Sequence, residues 1–283
     1  MNHNGVFRSR RLAIWLATLA ALVALTLTTA GCNKLKARDL LNQGVAAFKA
    51  GQYDQAIELF KQAKELDPSL INARLYLATA YASQYIPNAP SPENVNRGKQ
   101  AIAEYEEILA MEPNNLSAID GIGSMLFQMA GQPFDVKKFD ESKSYHQKHI
   151  KLKPEDPEPY YWVGVIDWTL AFRANNEVRS EYNRNNIRKQ VRDTDPLPPK
   201  VREQYAEKYS ALVEEGIKSL DDAIRLRPDY DDAMAYLNLL YRRKADMVGS
   251  EQERAELLKQ ADDLVDKIKV IKQKKLEAPQ QPS

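Results

Sequence analysis

Few side chains in this 283-residue sequence have the type and spacing to do chemistry. The single cysteine, Cys32, follows the small pair Ala30-Gly31 and an uncharged run from Leu12 to Leu27. Its thiol can be acylated, but one cysteine forms no internal disulfide. His146 and His149 stand three apart and share a face if their segment is helical; that spacing could support a metal, but only with a further ligand in register, and none is evident. There is no glycine-rich phosphate loop and no second cysteine for redox or metal work. Carboxylates such as Glu104, Glu106 and Glu107 fall on exposed helical positions, as solvated faces do. An active site needs converging titratable groups. No catalytic residue, metal or cofactor is therefore assigned, and the chain is expected to bind rather than to catalyse.

With 43% apolar and 28% charged residues, the composition is that of an ordinary soluble chain with one or two domains. The formal charge is +1, and the first 31 residues carry Arg8, Arg10 and Arg11 with no acid, which leaves −2 from Cys32 onward. A nearly neutral body has no electrostatic footprint for nucleic acid.

The elements that must position any binding surface are helical hairpins. Between Ala37 and Pro68, apolar and small residues recur at helical spacing in two runs, Leu40-Leu41-Gly44-Ala47-Phe48 and Ala56-Ile57-Phe60-Ala63-Leu66, separated by Gly51-Gln52. Pro68 cannot continue the second helix, since it lacks an amide hydrogen and its ring clashes with the preceding turn. The residues Leu40, Gln43, Gly44 and Ala47, then Ala56 and Phe60, then Pro68, resemble the tetratricopeptide repeat, whose period is about 34 residues. The closing Leu66-Asp67-Pro68 recurs as Met111-Glu112-Pro113, Leu152-Lys153-Pro154 and Leu226-Arg227-Pro228. The resemblance implies an all-α solenoid of about five hairpins over 37–272, with repeats near 37–70, 71–115, 116–156, 157–230 and 231–272.

The later units carry the same pattern with insertions. The second reads Arg74, Leu77, Ala78, Tyr81, then Ala101, Tyr105 and Pro113, with Ser91-Pro92 as a helix start in a lengthened loop. The third reads Ile119, Ile122, Gly123, Leu126, then Ser142, His146 and Pro154, so His146 and His149 take the places of Phe60 and Ala63 and are expected in the packed face. The fourth, Tyr160, Val163, Gly164, Asp167, resumes only at Gly216 and Leu220, and its closing proline comes about 40 residues late. The insertion at 173–200 is polar and basic and is expected as a long loop or extended helix ends. Long loops are usually functional or disordered, so it is expected to help select a partner and to be removable over Asn175 to Asp193 with helicity nearly intact. The fifth unit reads Met234, Leu237, Asn238, Tyr241, then Ala261 and Val265, and a disordered tail is expected over 273–283.

Residues 1–31 read as an export signal, with arginines before an apolar run and then small residues. Ala30-Gly31-Cys32 resembles a bacterial lipobox, which implies cleavage, diacylglycerol on Cys32 and a short anchored linker over 32–36. An uncleaved anchor helix is the alternative, because about 20 apolar residues span a bilayer. Either places the folded part in the cell envelope, facing the periplasm; Asn33 after Cys32 favours the outer membrane if the organism is Gram-negative.

In tetratricopeptide proteins the first helix of each hairpin lines a concave groove. The resemblance therefore implies a partner-binding surface of Leu41, Val45, Phe48, Lys49, Leu75, Thr79, Asp120, Phe127, Tyr161, Val165, Trp168, Leu239 and Arg242. Leu41 and Val45 stand where carboxylate-clamp members of the family carry polar and basic residues, so that mode is not expected. A mixed apolar and polar groove fits an extended or helical segment of another protein. The function expected is a membrane-anchored scaffold or adaptor that binds partner proteins. The alternatives are a purely structural spacer, or an envelope enzyme or carrier accessory using 173–200 as a lid.

Overall fold

The computed structural model describes residues 31–131 and 133–277. The described residues form ten helices and no strand: α1 over 31–49, α2 Tyr53–Leu66, α3 Ile71–Gln84, α4 Pro92–Met111, α5 Leu116–Met129, α6 Val136–Leu152, α7 Pro157–Asn185, α8 Pro199–Leu226, α9 Asp231–Ala245 and α10 Glu251–Glu277. They fall into two compact units, one up to Ala118 and the other from Ile119.

Local chemistry explains where the helices begin and end. Gly51, at φ 75°, closes α1 in the left-handed region that glycine enters without a Cβ penalty. Ser91 accepts from the Asn94 amide at 3.2 Å, with Pro92 opening α4. Asp156 accepts from the Glu158 amide at 3.1 Å, with Pro157 opening α7. The residues before the four closing prolines, Asp67, Glu112, Lys153 and Arg227, share φ between −145° and −129° and ψ between 75° and 91°. A proline ring drives the preceding residue out of helical geometry, and here it sets the same exit four times.

In the first unit a core of Ala56, Ile57, Phe60, Leu77, Ala78, Ala101, Tyr105 and Ile108 is buried. A Cβ added at Gly44 would come within 2.4 Å of the Phe60 ring, so α1 and α2 approach at a spacing that only glycine fits. In the second unit Val213, Leu220, Ala223, Ala233, Leu237 and Leu240 anchor the main cluster.

Two expectations about boundaries change. Residues 32–36 are helical and exposed rather than a linker, because Asn33-Lys34-Leu35-Lys36 contains no breaker and α1 runs through it. The export signal expected over 1–31 falls, apart from Gly31, outside the described residues. Nor does the chain become irregular at 273, since α10 continues to Glu277. There Lys275 donates to the Asp229 carbonyl at 3.1 Å and to the Asp231 carboxylate at 2.7 Å, holding the last turns against the start of α9.

The insertion is also ordered, and helical over most of its length. α7 and α8 extend to 29 and 28 residues and leave only 186–198 as a connector. Arg179, 3% exposed, donates to the Asn175 side chain at 2.8 Å, to the Arg192 and Asp195 carbonyls at 2.7 and 3.0 Å, and to Asp246 at 2.9 Å. Leu197 packs with Ala174 and Tyr205 in a small core of its own. Removing Asn175 to Asp193 would therefore take out buried Asn175 and Arg179. The expectation of a dispensable segment is overturned.

Candidate functional site

A continuous aromatic face lies on α7 and α9. On α7, Tyr161, Trp168 and Phe172 recur at intervals of seven and four, which one side of a helix repeats. On α9, Asp232 and Tyr236 are four apart on one side. The two helices touch, and their rings interlock: Tyr161 lies 5.7 Å from Tyr236, Trp168 5.1 Å from Tyr236, and Phe172 stacks on Trp168 at 5.2 Å. The aromatic line continues through Trp162, 5.4 Å from Tyr161, to Phe127, also 5.4 Å from Trp162. Phe172 is 41% exposed and the other rings are half-buried. Burial holds the Tyr161 and Tyr236 hydroxyls above the usual tyrosine range, and the negative charge of Asp232 adds to both shifts.

Of the second-unit residues expected in a groove, Tyr161 and Trp168 are brought together there. Phe127 packs edge-on to Phe139 at 5.5 Å as well as to Trp162. Val165 is buried, because α7 has α6, α8 and α9 against it and this turn is covered; it cannot meet a partner. Asp120 is bonded to His149 Nδ1 at 2.7 Å. Leu239 is half-buried, and Arg242 is held by Asn238 at 3.0 Å and Asp262 at 2.6 Å.

In the first unit, Leu41 is buried with Leu40 and Ala47 and so belongs to the packing rather than to a surface. Val45, Phe48 and Leu75 are half-buried and Lys49 is exposed. Thr79 spends its hydroxyl on the Leu75 carbonyl at 2.8 Å, with Tyr105 3.4 Å away. Cys32 is exposed on α1.

Tyr236, Phe172 and Trp162 were absent from the expected groove. The seven-four spacing of α7 was readable once the helix was known to run past Arg173, and the Asp232–Tyr236 pair was readable as a helical neighbour.

Beneath this face the second unit buries polar groups. His146 is 1% exposed, stacks on Trp162 at 5.9 Å, and has no hydrogen-bond partner for either ring nitrogen. Burial, with a smaller repulsion from His149, pulls its imidazole down to about 4. Asp167, fully buried, meets Lys143 at 2.9 Å; burial pushes its carboxyl up to about 7 although Lys143 pulls the other way. Both histidines thus sit in the packed face. Among the described residues no three His, Cys, Asp or Glu side chains are grouped to hold a metal, and no helix is long and apolar enough to cross a membrane.

The paired helices, the repeated proline exit and the Gly44–Phe60 contact are those of an all-α tetratricopeptide-repeat fold. Residues 37–70 match the family model described as Tetratricopeptide repeat. Among curated proteins, the Cellulose synthase operon protein C of Pseudomonas fluorescens (strain SBW25) is 26% identical over 216 residues; the match covers 74% of this chain and spans only 15% of that protein's length. Among solved structures, MamA from Desulfovibrio magneticus RS-1 aligns with a TM-score of 0.51 at 16% identity, covering 82% of this chain and 96% of its own. A second MamA crystal structure gives 0.52 at 14% identity, covering 87% and 98%. At these identities the structures share the fold.

Proposed function

We propose that this chain is a non-enzymatic protein-binding scaffold of the bacterial cell envelope, anchored by lipid on Cys32 and facing the periplasm, with the outer membrane as its site in a Gram-negative cell. The observation that carries the binding reading is the aromatic face of Tyr161, Trp168, Phe172 and Tyr236. These rings sit on the first helices of two successive hairpins, and Phe172 remains 41% exposed. Aromatic residues are enriched at the energetic centres of interfaces. The anchor reading is supported by the exposed Cys32 and by the arginines, apolar run and Ala30-Gly31 before it.

In-cell crosslinking of the full chain, followed by mass spectrometry, should give a reproducible protein partner that is reduced at least tenfold by Trp168→Ala. Equal recovery from the variant would remove this face from the binding surface. Cys32→Ser should abolish fatty-acid labelling and leave an uncleaved precursor or a released domain, because the thiol that takes the lipid is gone. A wild-type chain that takes up no label would instead favour an uncleaved anchor helix.

A further inference from the structure

We propose that the segment seated on the α7–α9 face carries an arginine or lysine, placed against Asp232 and the rings of Tyr161 and Tyr236, with an apolar side chain further along at Trp168 and Phe172. This rests on the scaffold reading and names the chemistry of its partner. The first argument is one of charge. Asp232 is exposed, and among the described residues no salt bridge reaches it, although Lys275, bonded to the neighbouring Asp231, acts on it through space. Four cations of the neighbouring elements already have carboxylates: Arg227 with Glu158 at 2.7 Å, Arg242 with Asp262 at 2.6 Å, Arg243 with Asp246 at 3.2 Å and Lys275 with Asp231 at 2.7 Å. The ring faces are themselves the negative end of an aromatic quadrupole and attract a cation placed over them. This end of the surface thus presents an exposed carboxylate without a salt-bridge partner beside two ring faces.

The second argument is that the protein seats one cation in the same way. The Arg227 guanidinium lies over the Tyr230 ring, 4.3 Å from its centroid, while bonding Glu158, which also accepts from the Tyr230 hydroxyl at 2.8 Å. A tyrosine face with a carboxylate at its edge is therefore a working arginine seat in this fold. Tyr161 stands between the two places, 5.1 Å from Tyr230 and 5.7 Å from Tyr236. The Tyr230–Glu158 seat is filled from within and the Tyr236–Asp232 seat is not.

The length of the face sets the spacing in the partner. From Tyr161 to Phe172 the helix rises about 16 Å, which an extended chain covers in about five residues. The cation and the apolar anchor should then lie about five positions apart.

The test uses the full chain and an array of synthetic nine-residue peptides, each with one arginine and one phenylalanine at separations from two to eight. Parallel sets replace the arginine by neutral citrulline or by glutamate. Arginine peptides with a separation near five should be retained, and the citrulline set should bind at least tenfold more weakly. Asp232→Lys should reverse the preference towards glutamate, and Tyr236→Ala should weaken the arginine set about tenfold, with circular dichroism confirming that both variants remain folded. Binding that is indifferent to the charge, or unchanged by Asp232→Lys, overturns the proposal. If the crosslinked partner is then still lost on Trp168→Ala, the scaffold reading survives and only the cationic partner falls.

Discussion

Arg179→Ala should lower the unfolding free energy by about 3–5 kcal/mol, the range for removing one member of a buried ion pair. Arg179 supplies four hydrogen bonds from a side chain 3% exposed: one to Asp246, one to Asn175, and two to carbonyls of the 186–198 connector. Its loss takes the donor from the part-buried Arg192 and Asp195 carbonyls and weakens the buried cluster, in which Asn175 Oδ1 keeps only Arg243 at 2.6 Å. Asp246 keeps Arg243 at 3.2 Å, which places the expected effect in the lower part of the range. Burial raises the Asp246 carboxyl although Arg243 and Arg179 pull the other way. The damage comes from breaking the pair. Arg179→Lys should recover little, because an ammonium is a point charge without the planar fork that reaches these acceptors together. Urea unfolding supplies the free energy, and hydrogen exchange should show 186–198 opening first. A variant that unfolds at the wild-type midpoint would show that the network does not hold the connector.

His146→Phe should stabilise the protein and flatten its response to acid. The imidazole is packed as an aromatic ring, in the place Phe60 holds in the first hairpin, and both of its nitrogens lack partners. A buried unsatisfied polar group costs about 1–3 kcal/mol, and a phenyl ring carries none. The pH dependence follows from proton counts. With the folded imidazole at about 4 and an unfolded value near 6.5, the unfolded chain binds the extra proton between those limits. Stability is complete above pH 6.5, falls as pH drops through that window, and levels off below about 4, a loss of about 3 kcal/mol. Asp167 works in the opposite sense, since its folded carboxyl keeps a proton up to about pH 7 that the unfolded chain releases near 3.8. The difference between wild type and His146→Phe, melted from pH 4 to 7.5, isolates the histidine. Parallel curves would mean that His146 is solvated in the fold.

The local rules of the chain were legible without coordinates. A 3.6-residue apolar period, the capping Ser91 and proline after four of the second helices act within a few residues. They place the helices and pair them into hairpins, and they put His146 and His149 where Phe60 and Ala63 pack. Two things depended on contacts that no local pattern holds. The 173–200 segment reads as a polar insertion because nothing nearby shows that Arg179 will meet Asp246, 67 positions later; its order is a property of the assembled second unit. Leu41, Val165, Tyr161 and Trp168 occupy corresponding or neighbouring helical positions, yet the first two are buried and the last two reach the surface. Sequence spacing fixes the direction of a side chain from its own helix. Which directions remain open is decided by the neighbours that pack there, and only the tertiary structure brings those together.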